Sequence, residues 1–134
     1  MLTLIPQNLQ KKPIPFHLDV NQGFAEAQGL IHIKKNSLVL EYEVKDAFGG
    51  FIKSELKETE IPFDEIESLT YKKGFWGAKV LIDGNSMRTF EDVPGAEQGS
   101  CTLKIKRKDR DQAQQSISSA RVVLSEYKLN KLDE

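Results

Sequence analysis

Hydrophobic and polar positions alternate with a period of two through most of this chain and change to a helical period only near its C-terminus. The clearest stretch sets Leu38, Leu40, Tyr42 and Val44 against Val39, Glu41, Glu43 and Lys45. That is the pattern of a half-buried antiparallel strand with a wet outer face. From Phe24 onward, Ala25, Ala27, Gly29, Ile31 and Ile33 share a face whose first residues are small. Small residues there predict a bent strand or the close approach of another element. Lys34 to Ser37 reads as a turn, and Asp46-Ala-Phe-Gly-Gly50 as a hairpin loop. A strand follows over Phe51 to Ile61, with Ile52 and Leu56 facing inward, then a corner at Pro62-Phe63-Asp64. Ile66 and Leu69 lie three apart within the next strand, Glu65 to Lys72, which predicts a bulge. Lys73-Gly74 turns the chain into Trp76 to Asp83, where Ala78, Val80 and Ile82 face in. Gly84-Asn85 is a two-residue turn signal ahead of a short strand over Met87 to Glu91. After the loop from Val93 to Gly99, Cys101, Leu103 and Ile105 alternate through a last strand.

The period then lengthens. Ala113, Ile117, Ala120, Leu124 and Tyr127 fall at steps of four and three, one apolar stripe on a helix from about Asp109 to Tyr127. Asp109 suits an N-cap, and Gln112 sits three residues on, as in a capping box. The expected fold is mainly β with one helix: seven antiparallel strands forming a barrel or sandwich, capped by the C-terminal helix. That unit is expected over residues 24–134. Residues 1–23, broken by Pro6, Pro13 and Pro15, read as an N-terminal arm, or as an edge strand over Phe16 to Val20.

Composition narrows the function classes. At 134 residues, with 39% hydrophobic and 29% charged positions, the chain suits one domain with a real core. A net charge of −1 argues against a dedicated nucleic-acid binder. One cysteine forms no internal disulfide, the first residues lack the basic start of a signal peptide, and no apolar run reaches spanning length. A cytoplasmic, bacterial protein is the expectation. Charge is segregated: Glu41 to Glu67 holds nine acids and three lysines, while Lys104, Lys106, Arg107, Lys108 and Arg110 crowd the last strand and helix start. That asymmetry suits head-to-tail pairing between copies, or neighbouring regions within one molecule. The basic run reads first as the wet face of a strand.

Seven strands and a closing helix resemble the pleckstrin-homology-like superfold. The stretches that carry the resemblance are Gln28-Gly-Leu-Ile-His-Ile33, Leu40-Glu-Tyr-Glu43, Glu60-Ile-Pro-Phe-Asp-Glu-Ile66, and Leu103-Lys-Ile-Lys106 running into the helix. The likeness is to bacterial members and covers about Phe24 to Tyr127. It implies a binding module: such domains hold phosphoinositides, peptides or protein surfaces, or self-assemble. Members that bind inositides carry a basic residue near the end of the first strand and a Lys-x-Arg pattern on the second. Lys34 and Lys35 match the first requirement, but Glu41 and Glu43 stand where the second needs cations, and they would repel a polyphosphate.

No catalytic set is legible. His17 and His32 have no metal spacing, Cys101 is in phase with the core, and Ser100 has no partnered base in the sequence. No catalytic residue, metal or cofactor is expected. The distinctive local feature is aromatic: Phe48 and Phe51 flank Gly49-Gly50, and Phe75 and Trp76 lie between Gly74 and Gly77. Read as loop tips leaving the same end of a meander, away from the helix, these four form a partner-binding patch. The plainer reading of Trp76 makes it a cap on the core. Lys34, Lys35, Lys72 and Lys73 are candidate contacts to an anionic surface. The first functional expectation is a non-catalytic interaction module binding a protein or itself. The alternatives are a peripheral domain on anionic lipid and a small-ligand β-barrel with a cavity among Tyr42, Val80 and Leu103.

Overall fold

The structure is a computed structural model that describes residues 12–20, 25–48 and 51–133, with side chains left out of the description at 45–48 and 51–54. Among the described residues, seven strands form one antiparallel sheet: β1 (Ile14–Val20), β2 (Ala25–Ile33), β3 (Ser37–Phe48), β4 (Phe51–Pro62), β5 (Ile66–Lys73), β6 (Gly77–Gly84) and β7 (Ser100–Lys106). A single-turn 3-10 segment leads into α1 (Arg110–Leu132). The strand order is β4-β3-β2-β1-β7-β6-β5. The sheet is not a closed barrel: β4 and β5 are its two edges, joined by the corner at Phe63–Glu65. The mainly β fold with a closing C-terminal helix is the expected one.

The alternation sets the core. Leu38, Leu40 and Tyr42 on β3, Val80 and Ile82 on β6, and Cys101, Leu103 and Ile105 on β7 are all buried. They join one cluster with Ala113, Ile117, Ala120 and Leu124 of α1, the predicted stripe. Tyr42, Val80 and Leu103 belong to that cluster. Gly29 is a point of close approach between strands: a Cβ there would collide with the Glu41 carbonyl of β3. The bulge predicted near Ile66 is present as a register shift between Ile66 and Ser68.

Several expectations are corrected. Phe16–Val20 is no edge element: β1 lies in the sheet interior, paired with β2 along its length and with β7 at His17↔Lys104. Its apolar phase explains this, since Ile14, Phe16, Leu18 and Val20 are all buried. Met87 to Glu91 is not a strand but a series of turns. The chain leaves the sheet at Asn85, whose N–H donates to the Glu65 carbonyl at 2.8 Å. Phe90 and Val93 then drop into the core, and the Tyr42 hydroxyl donates to the Asp92 carbonyl at 3.0 Å. Leu56 is 70% exposed. Buried Ile61 sets the phase of β4, five residues on, so Leu56 falls on the outer face opposite Glu43. Ile52 has its side chain outside the described residues.

The helix also differs in detail. It runs on to Leu132, about 35 Å at 1.5 Å per residue. Leu129 and Leu132 stay exposed, so they do not extend the stripe. No capping box forms: Asp109 makes no side-chain cap bond, and Gln112 instead donates to the Pro13 carbonyl at 2.8 Å, tying the helix to the chain entering β1.

Candidate cationic and aromatic docking face

The β5–β6 hairpin is a tight turn, Gly74 N–H donating to the Gly77 carbonyl at 2.7 Å. Gly77 is required where β6 meets β7, because a Cβ there would collide with the Ile105 carbonyl. Between these glycines stand two aromatics. Phe75 is 69% exposed and Trp76 81% exposed. Trp76 is therefore no cap on the core, which Phe63, Phe90 and Tyr42 fill from elsewhere. The two rings pack edge to face with centroids 4.8 Å apart, and the Arg107 guanidinium lies 5.3 Å from the Phe75 ring centre.

Register brings cations to the same place. Lys72 on β5 pairs with Lys79 on β6, Lys79 pairs with Lys104 on β7, and Lys104 pairs with His17 on β1. Four basic side chains thus form one row across four neighbouring strands. Lys73, Lys106 and Arg107 border the row, and an open groove of about 530 Å³ runs between these residues and the Phe75–Trp76 tip. Its lining holds six lysine or arginine residues and no carboxylate. Asp19 bonds Lys104 at 2.6 Å beside it. The hydrogen bond and then the charge of Lys104 hold the Asp19 carboxyl below its ordinary value. Among the described residues, Lys72, Lys73, Lys79 and Lys106 have no ion-pair partner.

The tip is fixed from the helix start. Arg110 donates from Nη1 to the Gly74 carbonyl at 2.6 Å and more weakly to that of Phe75 at 3.4 Å. The Arg110 carbonyl accepts the Tyr71 hydroxyl at 3.0 Å. The aromatic hairpin therefore stands beside the beginning of α1, not at the end away from the helix.

The remaining candidates are dispersed. Phe48 and Phe51 face each other across the β3–β4 turn in backbone register, but their side chains lie outside the described residues. By register Phe48 and Phe51 lie beyond the end of β1 at Val20, whereas Phe75 and Trp76 lie beyond its beginning. The alternation of ends that a simple meander keeps is broken at the Pro62–Glu65 corner, which joins the two edges of the sheet. Lys34 and Lys35 lie in the β2–β3 turn and do not line the groove. The acidic outer positions Glu41, Glu58 and Glu60 are on β3 and β4, across β2 from the basic row. Charge segregation along the chain thus becomes segregation across the sheet.

Chemistry elsewhere is engaged or inert. The Ser100 hydroxyl donates to Asp83 at 2.6 Å, and that carboxylate also accepts from Ser68 at 3.0 Å, cross-linking β5, β6 and β7. Burial pushes the Cys101 thiol up to about 12. Among the described residues no cluster of three or more His, Cys, Asp or Glu side chains could hold a metal, and no helix is long and apolar enough to cross a membrane.

Sequence reasoning found Lys72, Lys73, Phe75 and Trp76 but missed Lys79 and His17. It also read Lys104, Lys106 and Arg107 as a separate feature. The missing signal was the register of β1, β6 and β7, which only a known strand order supplies. No protein-family model, curated protein or solved structure matches the chain.

Proposed function

We propose that this chain is a non-catalytic docking module of the pleckstrin-homology-like kind, and that its working surface is the β5–β6 hairpin with the basic row beside it. The observation that carries this reading is the row itself. Like charges directly opposite on neighbouring strands destabilise a sheet, and Lys72, Lys79 and Lys104 are aligned across three strands with one carboxylate among them. A face built at a cost to folding, beside two exposed aromatics, is suited to an anionic partner.

The test is retention on phosphocellulose at neutral pH and low salt. A protein of net charge −1 should pass through such a resin unless its cations are concentrated on one face. The wild type should be retained and should elute as salt rises, while a Lys72→Glu/Lys79→Glu variant should flow through. Flow-through of the wild type, or equal retention of both, overturns the reading. The acidic outer face of β3 and β4 supports a second reading, head-to-tail association of copies. It requires concentration-dependent oligomers that dissociate in salt, measured by sedimentation.

A further inference from the structure

We infer that the surface this face docks on is an anionic lipid bilayer, with Trp76 and Phe75 entering the boundary between headgroups and acyl chains. The inference rests on the docking reading above and names its partner. Its first support is shape. The apolar residues are at the apex of a hairpin and the cations are set back along the strands behind it, Lys72, Lys79 and Lys106 among them. Two exposed rings at a hairpin apex bordered by cations match a fluid, negatively charged surface: the rings reach the apolar boundary as the lysines reach the headgroups.

Rival occupants fit less well. A folded protein partner ordinarily covers about 800 Å² per side around a packed apolar centre. Here the exposed large apolar residues of the groove are two, Phe75 and Trp76. Single-stranded nucleic acid is held by bases stacking on open aromatic faces. Phe75 already carries the Arg107 guanidinium over its ring and the edge contact with Trp76. The Arg110 bonds hold the backbone of the turn before any contact, which limits the ordering cost of insertion.

Trp76 is the sole tryptophan, so its fluorescence reports insertion without any label. The wild type is mixed with phosphatidylcholine vesicles, with and without phosphatidylserine, and followed by co-sedimentation and emission. The expected result is binding with a blue shift on the phosphatidylserine vesicles alone, weakening as salt rises. Lys72→Gln and Lys106→Gln should each weaken binding about fivefold, the effect of one cation near such a surface. Trp76→Ala should weaken it at least tenfold, with the far-ultraviolet circular dichroism unchanged. Equal binding to both vesicle types overturns the inference, as does binding with no emission shift. Retention on phosphocellulose without vesicle binding, or a blue shift produced instead by polyglutamate or an oligonucleotide, overturns the bilayer and leaves the docking reading standing. Failure on phosphocellulose as well removes both.

Discussion

Replacing Leu18 with alanine separates an interior β1 from the arm or edge strand that the sequence suggested. Leu18 is 4% exposed and sits on β1 opposite Ala27, itself fully buried. Removing the isopropyl end takes away roughly three buried carbons, about 2.4 kcal/mol of transfer free energy at ~0.8 kcal/mol per group. The small residue opposite gives the site little with which to refill the space, so a cavity contribution brings the total to about 3 kcal/mol. For 134 residues the unfolding entropy near the midpoint is about 0.28 kcal/mol per degree, so Tm should fall by about 11 °C. Urea denaturation of wild type and variant, analysed with a common slope, measures the loss directly. Leu56→Ala is the control: at 70% exposure it should change stability by less than about 0.5 kcal/mol. A Leu18→Ala loss as small as that of the control would refute the placement of β1 between β2 and β7.

Tyr42→Phe removes the hydroxyl that holds Asp92 and should cost about 1 kcal/mol, read as a fall in Tm of about 4 °C. Lys79→Thr relieves the like-charge row and should stabilise the fold by about 0.2–1 kcal/mol in urea titrations while shortening retention on phosphocellulose. Cys101, its thiol pushed up to about 12 by burial, should resist iodoacetamide at pH 8 in the folded protein and react promptly in denaturant, followed by mass spectrometry. Lys104 holds Asp19 below its ordinary value, so their pair contributes above the unfolded pKa of about 3.9 and is lost as pH falls through the lower folded value. The stabilities of wild type and Asp19→Asn should therefore converge as the pH is lowered below about 4.

What was legible in the sequence follows from how locally each feature is encoded. The phases of β2, β3, β6 and β7 and the stripe of α1 lie in side-chain periodicity, and all are present. Leu56 was misassigned because the true phase of β4 is set by Ile61, at the far end of the strand. The turns over Met87 to Glu91 resemble a strand because Phe90 is as apolar as a strand residue, although it enters the core from a loop. Gln112 was read as a local capping partner because the competing acceptor, the Pro13 carbonyl, is 99 residues distant in sequence. The basic row failed to appear for the same reason: Lys72, Lys79, Lys104 and His17 are neighbours only through strand pairing.

The closing helix has a second task in this arrangement. Its stripe seals the core through Ala113, Ile117, Ala120 and Leu124, while its first residue reaches past the core to the hairpin. Arg110 holds the carbonyls of Gly74 and Phe75, Arg107 covers the Phe75 ring, and the Tyr71 hydroxyl at the base of the hairpin bonds back to the Arg110 carbonyl. A two-residue aromatic tip on so short a turn would otherwise be free to fold its rings back onto the strands, since exposed apolar surface gains by any burial within reach. The clamp keeps that surface outward and beside the cations. The strand-to-helix junction at Lys106–Arg110 thus joins the two parts of the molecule: the same short segment ends the basic row, starts the helix that completes the core, and sets the pose of the docking hairpin.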